Sequence, residues 1–363
     1  MKHYGKLTAT AAAGFMALSV LNVAPVFANE EGTNGDEPIQ TQVNNKQATI
    51  TVNVRKGKGI NNPVGTPRFT ISGTDVSDKT PSNNAQAIYP GDANDLRIDM
   101  DAFDHSVTDG IQATTTGTIS IVEDRFTNKT PGQYVYTVTL SDITTGEGAS
   151  TTDGISVGEN QVYTINVYKD NDGNLLMTVG SDDNEAAAKS GSLNFTADDN
   201  TYTTYTLTVT KKITGNQSVS TTKFPFTVNI TPSDTGESHY VVTTTGESLM
   251  NNETVISANL SNNQVITIAG LSQSDLAKVE ETCSDAGYQT QIKVGETVKT
   301  DFETNSKQIE NETIGSNNKE ITFTNKKDGT VPTGILMSAA PFAGLIGLGG
   351  VFAGLFFRRK RED

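Results

Sequence analysis

Apolar and polar residues alternate in short runs along most of the chain between residues 48 and 327. Runs at 49–54, 134–140, 162–168, 202–209, 226–230, 265–268 and 321–324 put apolar side chains at every second position. That is the spacing of a strand with one face buried. Gly, Asn, Asp and Pro punctuate the runs, so the pattern predicts many short strands joined by turns, as in β-sandwiches. One segment breaks the rule. At 272–287, Leu276, Val279, Glu280 and Cys283 fall at helical spacing behind a start rich in Ser and Asp, and a short helix is predicted there.

An internal repeat divides the pattern in two. Val52-Asn53-Val54-Arg55-Lys56 is followed thirteen residues later by Phe69, and Leu207-Thr208-Val209-Thr210-Lys211 thirteen residues later by Phe224. In both units the Lys shares the phase of two apolar residues, which points it at the core. A boundary near Thr201 then separates a first sandwich at 48–201 from a second at 202–327. Residues 29–47 are polar, with little apolar periodicity, and read as a flexible lead.

Composition narrows the function classes. The 363 residues are 34% hydrophobic and 19% charged, with a net charge of −15, so no basic surface is available for nucleic acid. One cysteine excludes an intrachain disulfide framework, and three histidines leave little room for a zinc cluster. Neither a cofactor nor a metal is expected.

The two ends carry addresses. Residues 1–28 have Lys2 and Lys6 before an apolar, Ala-rich stretch that closes on Val26-Phe27-Ala28, the form of a secretory signal peptide. At the other end, in segment 328–363, Val331-Pro332-Thr333-Gly334 precedes an apolar run at 335–357 and a basic tail at 358–363. This order resembles the cell-wall sorting signal of Gram-positive surface proteins. The resemblance implies sortase cleavage between Thr333 and Gly334, so that the span serves only as a transient membrane handle. A permanent anchor is the competing reading. Pro332 adjoins Thr333 directly, unlike the common Leu-Pro-x-Thr-Gly form, which favours a dedicated sortase. Removing both ends takes away six basic and two acidic residues, and the remaining 21 basic and 40 acidic residues give −19.

Further motifs point to one family. Residues 207–215 read LTVTKKITG, and Ile321-Thr322-Phe323-Thr324-Asn325-Lys326-Lys327-Asp328 runs into the sorting motif. The chain thereby resembles streptococcal-type major (backbone) pilins, the likeness covering the second domain well and the first loosely. The resemblance implies two tandem immunoglobulin-like sandwiches. It also implies a spontaneous Lys–Asn isopeptide bond between first and last strands, assisted by a buried Glu. Carried over, Lys211 is the amine, Asn325 the amide and Glu281 the helper, with Glu280 the alternative. Only a neutral amine attacks, and burial favours the neutral forms of both amine and acid. The protonated Glu is then expected to polarise the Asn carbonyl, while contact between the groups replaces a bimolecular encounter.

The first domain departs from the family pattern. Lys56 fits the Lys position, but Leu140 stands where the Glu is expected and Ala197 where the Asn is. Asp142 and Asn200 are the nearest substitutes, so a bond there is less expected than an ordinary core. By the same resemblance, Lys189, shortly before Phe195, is the acceptor amine for the next subunit.

Three functions compete. The leading one is a pilus shaft subunit. Its implied partners are a pilin-type sortase, further copies of the chain, peptidoglycan, and minor pilins at tip and base. A monomeric wall-anchored adhesin is the second. A wall hydrolase is the third, and neither His105 nor His239 lies in a nucleophile or metal motif. The only chemistry expected is self-processing.

Overall fold

Alternating burial along the strands builds four main sheets, packed in pairs around two separate apolar cores. The computed structural model describes residues 45–77, 87–159, 161–181, 192–282, 287–304 and 307–329. The signal peptide, residues 29–44 of the lead, Lys189 and the whole sorting motif with its apolar span lie outside the described residues.

In the first domain one sheet runs Leu96–Met100, Gln112–Ile121, Gln47–Arg55, with Ser192–Phe195 and Thr201–Tyr202 both pairing in parallel with Gln47–Arg55. The facing sheet runs Leu175–Ser181, Val162–Lys169, Gly132–Thr144, Thr66–Gly73. Ile50, Val52, Val54, Val138, Leu140, Ile165, Val167 and Phe195 meet between them. The second domain repeats the plan. Its first strand, Tyr205–Thr214, lies between Val265–Leu271 and the last strand, Lys319–Lys326, and the first and last strands are parallel. The opposite sheet centres on Phe224–Thr231, flanked by Val255–Leu260 and Leu276–Glu281. The architecture is therefore two tandem immunoglobulin-like β-sandwiches.

Two expectations change. Within the segment expected to be helical, Leu276–Glu281 is a strand, and Cys283 lies outside the described residues. Ala277, Val279 and Glu281 are buried and Glu280 is exposed. A carboxylate on the core face disguised a period of two as one of 3.6. The run 202–209 is likewise not one strand. Tyr202 packs in the first core and Tyr205 opens the second domain, so the division falls at Thr203 and Thr204.

The domains meet through polar contacts. The Asp153 backbone N–H donates to Asp234 Oδ2 at 2.6 Å, and the Ser274 N–H donates to Asp153 Oδ2 at 2.7 Å. Gly270 has φ +90°, and a Cβ there would come within 1.9 Å of Asn61 Oδ1 from the first domain. The Tyr202 hydroxyl and Ser272 Oγ both donate to buried Glu237. Burial, then the nearby Asp275 charge, pushes the Glu237 carboxyl up to about 8. His105 Nε2 accepts from the Ser238 N–H at 3.3 Å, and burial, with His239 adding to it, pushes His105 down.

These shifts give the junction a two-sided pH dependence. Unfolded Glu237 ionises near its ordinary value, whereas the folded group holds its proton to about 8. Stability therefore falls as pH rises across that interval. His105 acts oppositely, because the unfolded imidazole protonates first as pH drops below 6.5 and stability is lost there. Glu237→Gln is expected to flatten the alkaline limb of a melting-temperature profile between about pH 5 and 8 while leaving the acid limb in place. An unchanged alkaline limb counts against the assignment.

Candidate functional site

Three polar side chains stand in the second core, one on each of three strands. Lys211 follows Leu207 and Val209 on the core-facing phase of the first strand. Glu281 ends Leu276–Glu281, directly opposite Phe226. Asn325 lies near the end of the last strand, opposite Ile213 in the parallel pairing. All three are 0% exposed. Lys211 Nζ donates to Glu281 Oε2 at 2.7 Å, and Asn325 Nδ2 donates to Glu281 Oε1 at 2.6 Å. One carboxylate thus bridges the amine and the amide.

The surround is apolar and aromatic. Lys211 Nζ sits 4.2 Å from the Phe224 ring centre and 5.9 Å from that of Phe226, and Phe226 packs edge-on against Phe323. Glu280, the alternative helper, faces outward on the same strand. Sequence reasoning missed Thr290, which is 2% exposed and lies directly opposite Asn325 on Gln289–Val294. Its Oγ1 donates to Asn325 Oδ1 at 3.0 Å. The carboxylate therefore holds the amide nitrogen, and the carbonyl that it was expected to polarise is taken by Thr290. An isolated threonine in an alternating run carries no signal of this kind.

The first domain does not assemble such a trio. Lys56 Nζ donates to the carbonyls of Ile60 at 2.8 Å, Thr108 at 3.1 Å and Gly57 at 3.3 Å. Burial pushes this amine down, with Asp109 opposing. Asn200 is fully buried, but its Nδ2 donates to the carbonyls of Asn53 and Thr196 and its Oδ1 accepts from Gln161 Nε2. Asp142 lies opposite Arg68, and its Oδ1 is buried without a hydrogen bond.

Strand register explains why. Phe69 stands opposite Leu140 as Phe226 stands opposite Glu281. Phe195 stands opposite Val52 as Phe323 stands opposite Lys211. The ring pairs Phe69–Phe195 and Phe226–Phe323 both have centres 5.2 Å apart. The first-domain counterparts of Lys211 and Glu281 are therefore Val52 and Leu140. Ala197 lies past the end of its strand, and the pairing resumes with Arg55 opposite Thr201, which sets buried Asn200 beside Val54 as Asn325 stands beside Ile213. Lys56 is four residues beyond the Lys position.

Comparison with known proteins places this architecture. Residues 205–327 match a family profile described as a domain of unknown function (DUF7601). No curated protein matches the chain. Among solved structures, the major pilin T-13 of Streptococcus pyogenes is similar at a TM-score of 0.52 and 22% identity, over 79% of this chain and 98% of that one. A point mutant of a major pilin from the same organism is similar at 0.51 and 19%, over 78% and 99%. The chain thus has the fold of a Gram-positive major pilin.

Removing one partner of a buried ion pair leaves the other uncompensated. With Asn325→Ala as background, so that no bond to the amide can form, Glu281→Ala is expected to cost the second domain about 3–5 kcal/mol in urea unfolding. Glu280→Ala is expected to stay within about 0.5 kcal/mol. Equal effects would mean that the carboxylate bridge does not hold this core.

Proposed function

We infer that the chain is a pilus shaft subunit, secreted, joined to its neighbours by a sortase and fixed to the cell wall. The observation that carries this reading is the buried Lys211–Glu281–Asn325 trio, set between the first and last strands of a domain with a pilin fold. The reaction it suits is a single self-processing step. Lys211 passes a proton to Glu281 across their contact, and the neutral amine attacks Cγ of Asn325. Glu281 delivers that proton to Nδ2, the Cγ–Nδ2 bond breaks, and ammonia leaves. One of the three ammonium protons stays on the new amide, and the last is lost through Glu281. Holding amine and amide on one carboxylate would remove the encounter cost, for which effective molarities reach about 10⁵ M or more.

Such a bond would suit a load-bearing subunit. Force entering at Tyr205 and leaving beyond Lys326 would pass through the Lys211–Asn325 link and bypass the chain between them. Sortase cleavage after Thr333, release of Gly334 with the apolar tail, and transfer of the threonyl carbonyl to Lys189 of the next copy would stack subunits head to tail. A contact of that type does not close and so grows as a fibre. Peptidoglycan would take the final subunit, and minor pilins at tip and base would complete the assembly.

The secreted ectodomain is expected to lose one ammonia, about 17 Da, and not two. The link closes a loop of about 115 residues, worth about 4–5 kcal/mol by chain entropy, so the first domain should melt and be proteolysed before the second. A full unmodified mass in folded protein would overturn the bond, and a double loss would overturn the assignment of Val52 and Leu140. Assembly is tested separately. Lys189→Ala expressed with its cognate sortase should leave monomer at the wall and abolish the high-mass ladder. An unchanged ladder would place the acceptor elsewhere.

A further inference from the structure

The geometry points to Thr290 as a further catalytic residue of the bond-forming step, the hydrogen-bond donor that stabilises the oxyanion on Asn325; this rests on the self-processing reading above. Attack of the Lys211 amine on Cγ turns a planar carboxamide into a tetrahedral centre and moves negative charge onto Oδ1. That oxygen needs a donor aimed at it before the reaction starts. Glu281 is committed to the other end of the group, since its Oε1 accepts from Nδ2 at 2.6 Å and its Oε2 from Lys211 at 2.7 Å. The Thr290 hydroxyl already donates to Oδ1 of the unreacted amide at 3.0 Å, so a donor stands beside the oxygen on which the charge develops.

Its placement is fixed by the backbone. Thr290 and Asn325 face each other across antiparallel strands, where opposed side chains are close enough to interact. Burial at 2% exposure removes competing water and strengthens the bond to a developing charge. Labour is then divided three ways. Lys211 is the nucleophile, Glu281 moves the proton from Nζ to the leaving Nδ2, and Thr290 holds the oxygen. No proton transfer is asked of Thr290, so its hydroxyl leaves the step unchanged.

The test follows the rate of ammonia loss. The full chain is synthesised in a short pulse, allowed to fold, quenched in acid at intervals and weighed intact. Limited proteolysis at each time normalises to the folded fraction, and Lys211→Ala sets the unreacted mass. Thr290→Val keeps the shape without the donor, Thr290→Ala removes it without added bulk, and Thr290→Ser restores it. Both donor-free variants should react about 10²-fold more slowly than wild type or worse, with Thr290→Ser close to wild type. Wild-type rates in Thr290→Val and Thr290→Ala would overturn the role, as would a Thr290→Ser chain as slow as Thr290→Val. A wild-type chain that never loses ammonia would instead remove the bond itself, and this role with it.

Discussion

The second domain is organised around one buried carboxylate that bridges an amine on its first strand and an amide on its last. Placing charge in a core is costly, and desolvation of a Lys–Glu pair can cancel its Coulombic attraction. The first domain demonstrates that the sandwich does not need the amine and the acid, because Val52 and Leu140 occupy the corresponding register positions. At two positions that are apolar in the neighbouring domain, this core instead keeps an amine and an acid, and the acid also holds a buried amide. Stability alone gives no reason to bury an ion pair where apolar side chains serve equally well.

The same comparison separates the roles of the two domains. Both put a parallel pair of first and last strands at the centre of one sheet, and both seat a phenylalanine pair beside the position in question. Only in the second domain does the core join the two strands through side chains able to react. Lys56 and Asn200 are buried too, yet their polar atoms are consumed by backbone carbonyls and by Gln161. They tie loops down and are not brought together.

Much of this was legible in the sequence because strand alternation is a strong signal. Alternation put Lys211 on a core-facing phase, but Asn325 and Glu281 were singled out only by the resemblance to the pilin pattern. The reading failed where a polar residue occupies a core-facing position. Glu281 broke the apolar alternation and made its strand look helical. Equal spacing from Lys to Phe misled in the first domain, since the loop between strands differs in length and only strand pairing fixes which residues correspond. Thr290 was invisible because its partner lies 35 residues away, across a pairing that the sequence does not state.

The central claim is that Lys211 and Asn325 are joined covalently in the finished protein. A crystal structure of residues 29–333 tests it most directly. Continuous density from Lys211 Nζ to Asn325 Cγ is expected, planar and at an amide distance of about 1.33 Å, with Glu281 alongside. Separate side chains at van der Waals distance, with the carboxamide nitrogen still in place, would contradict it.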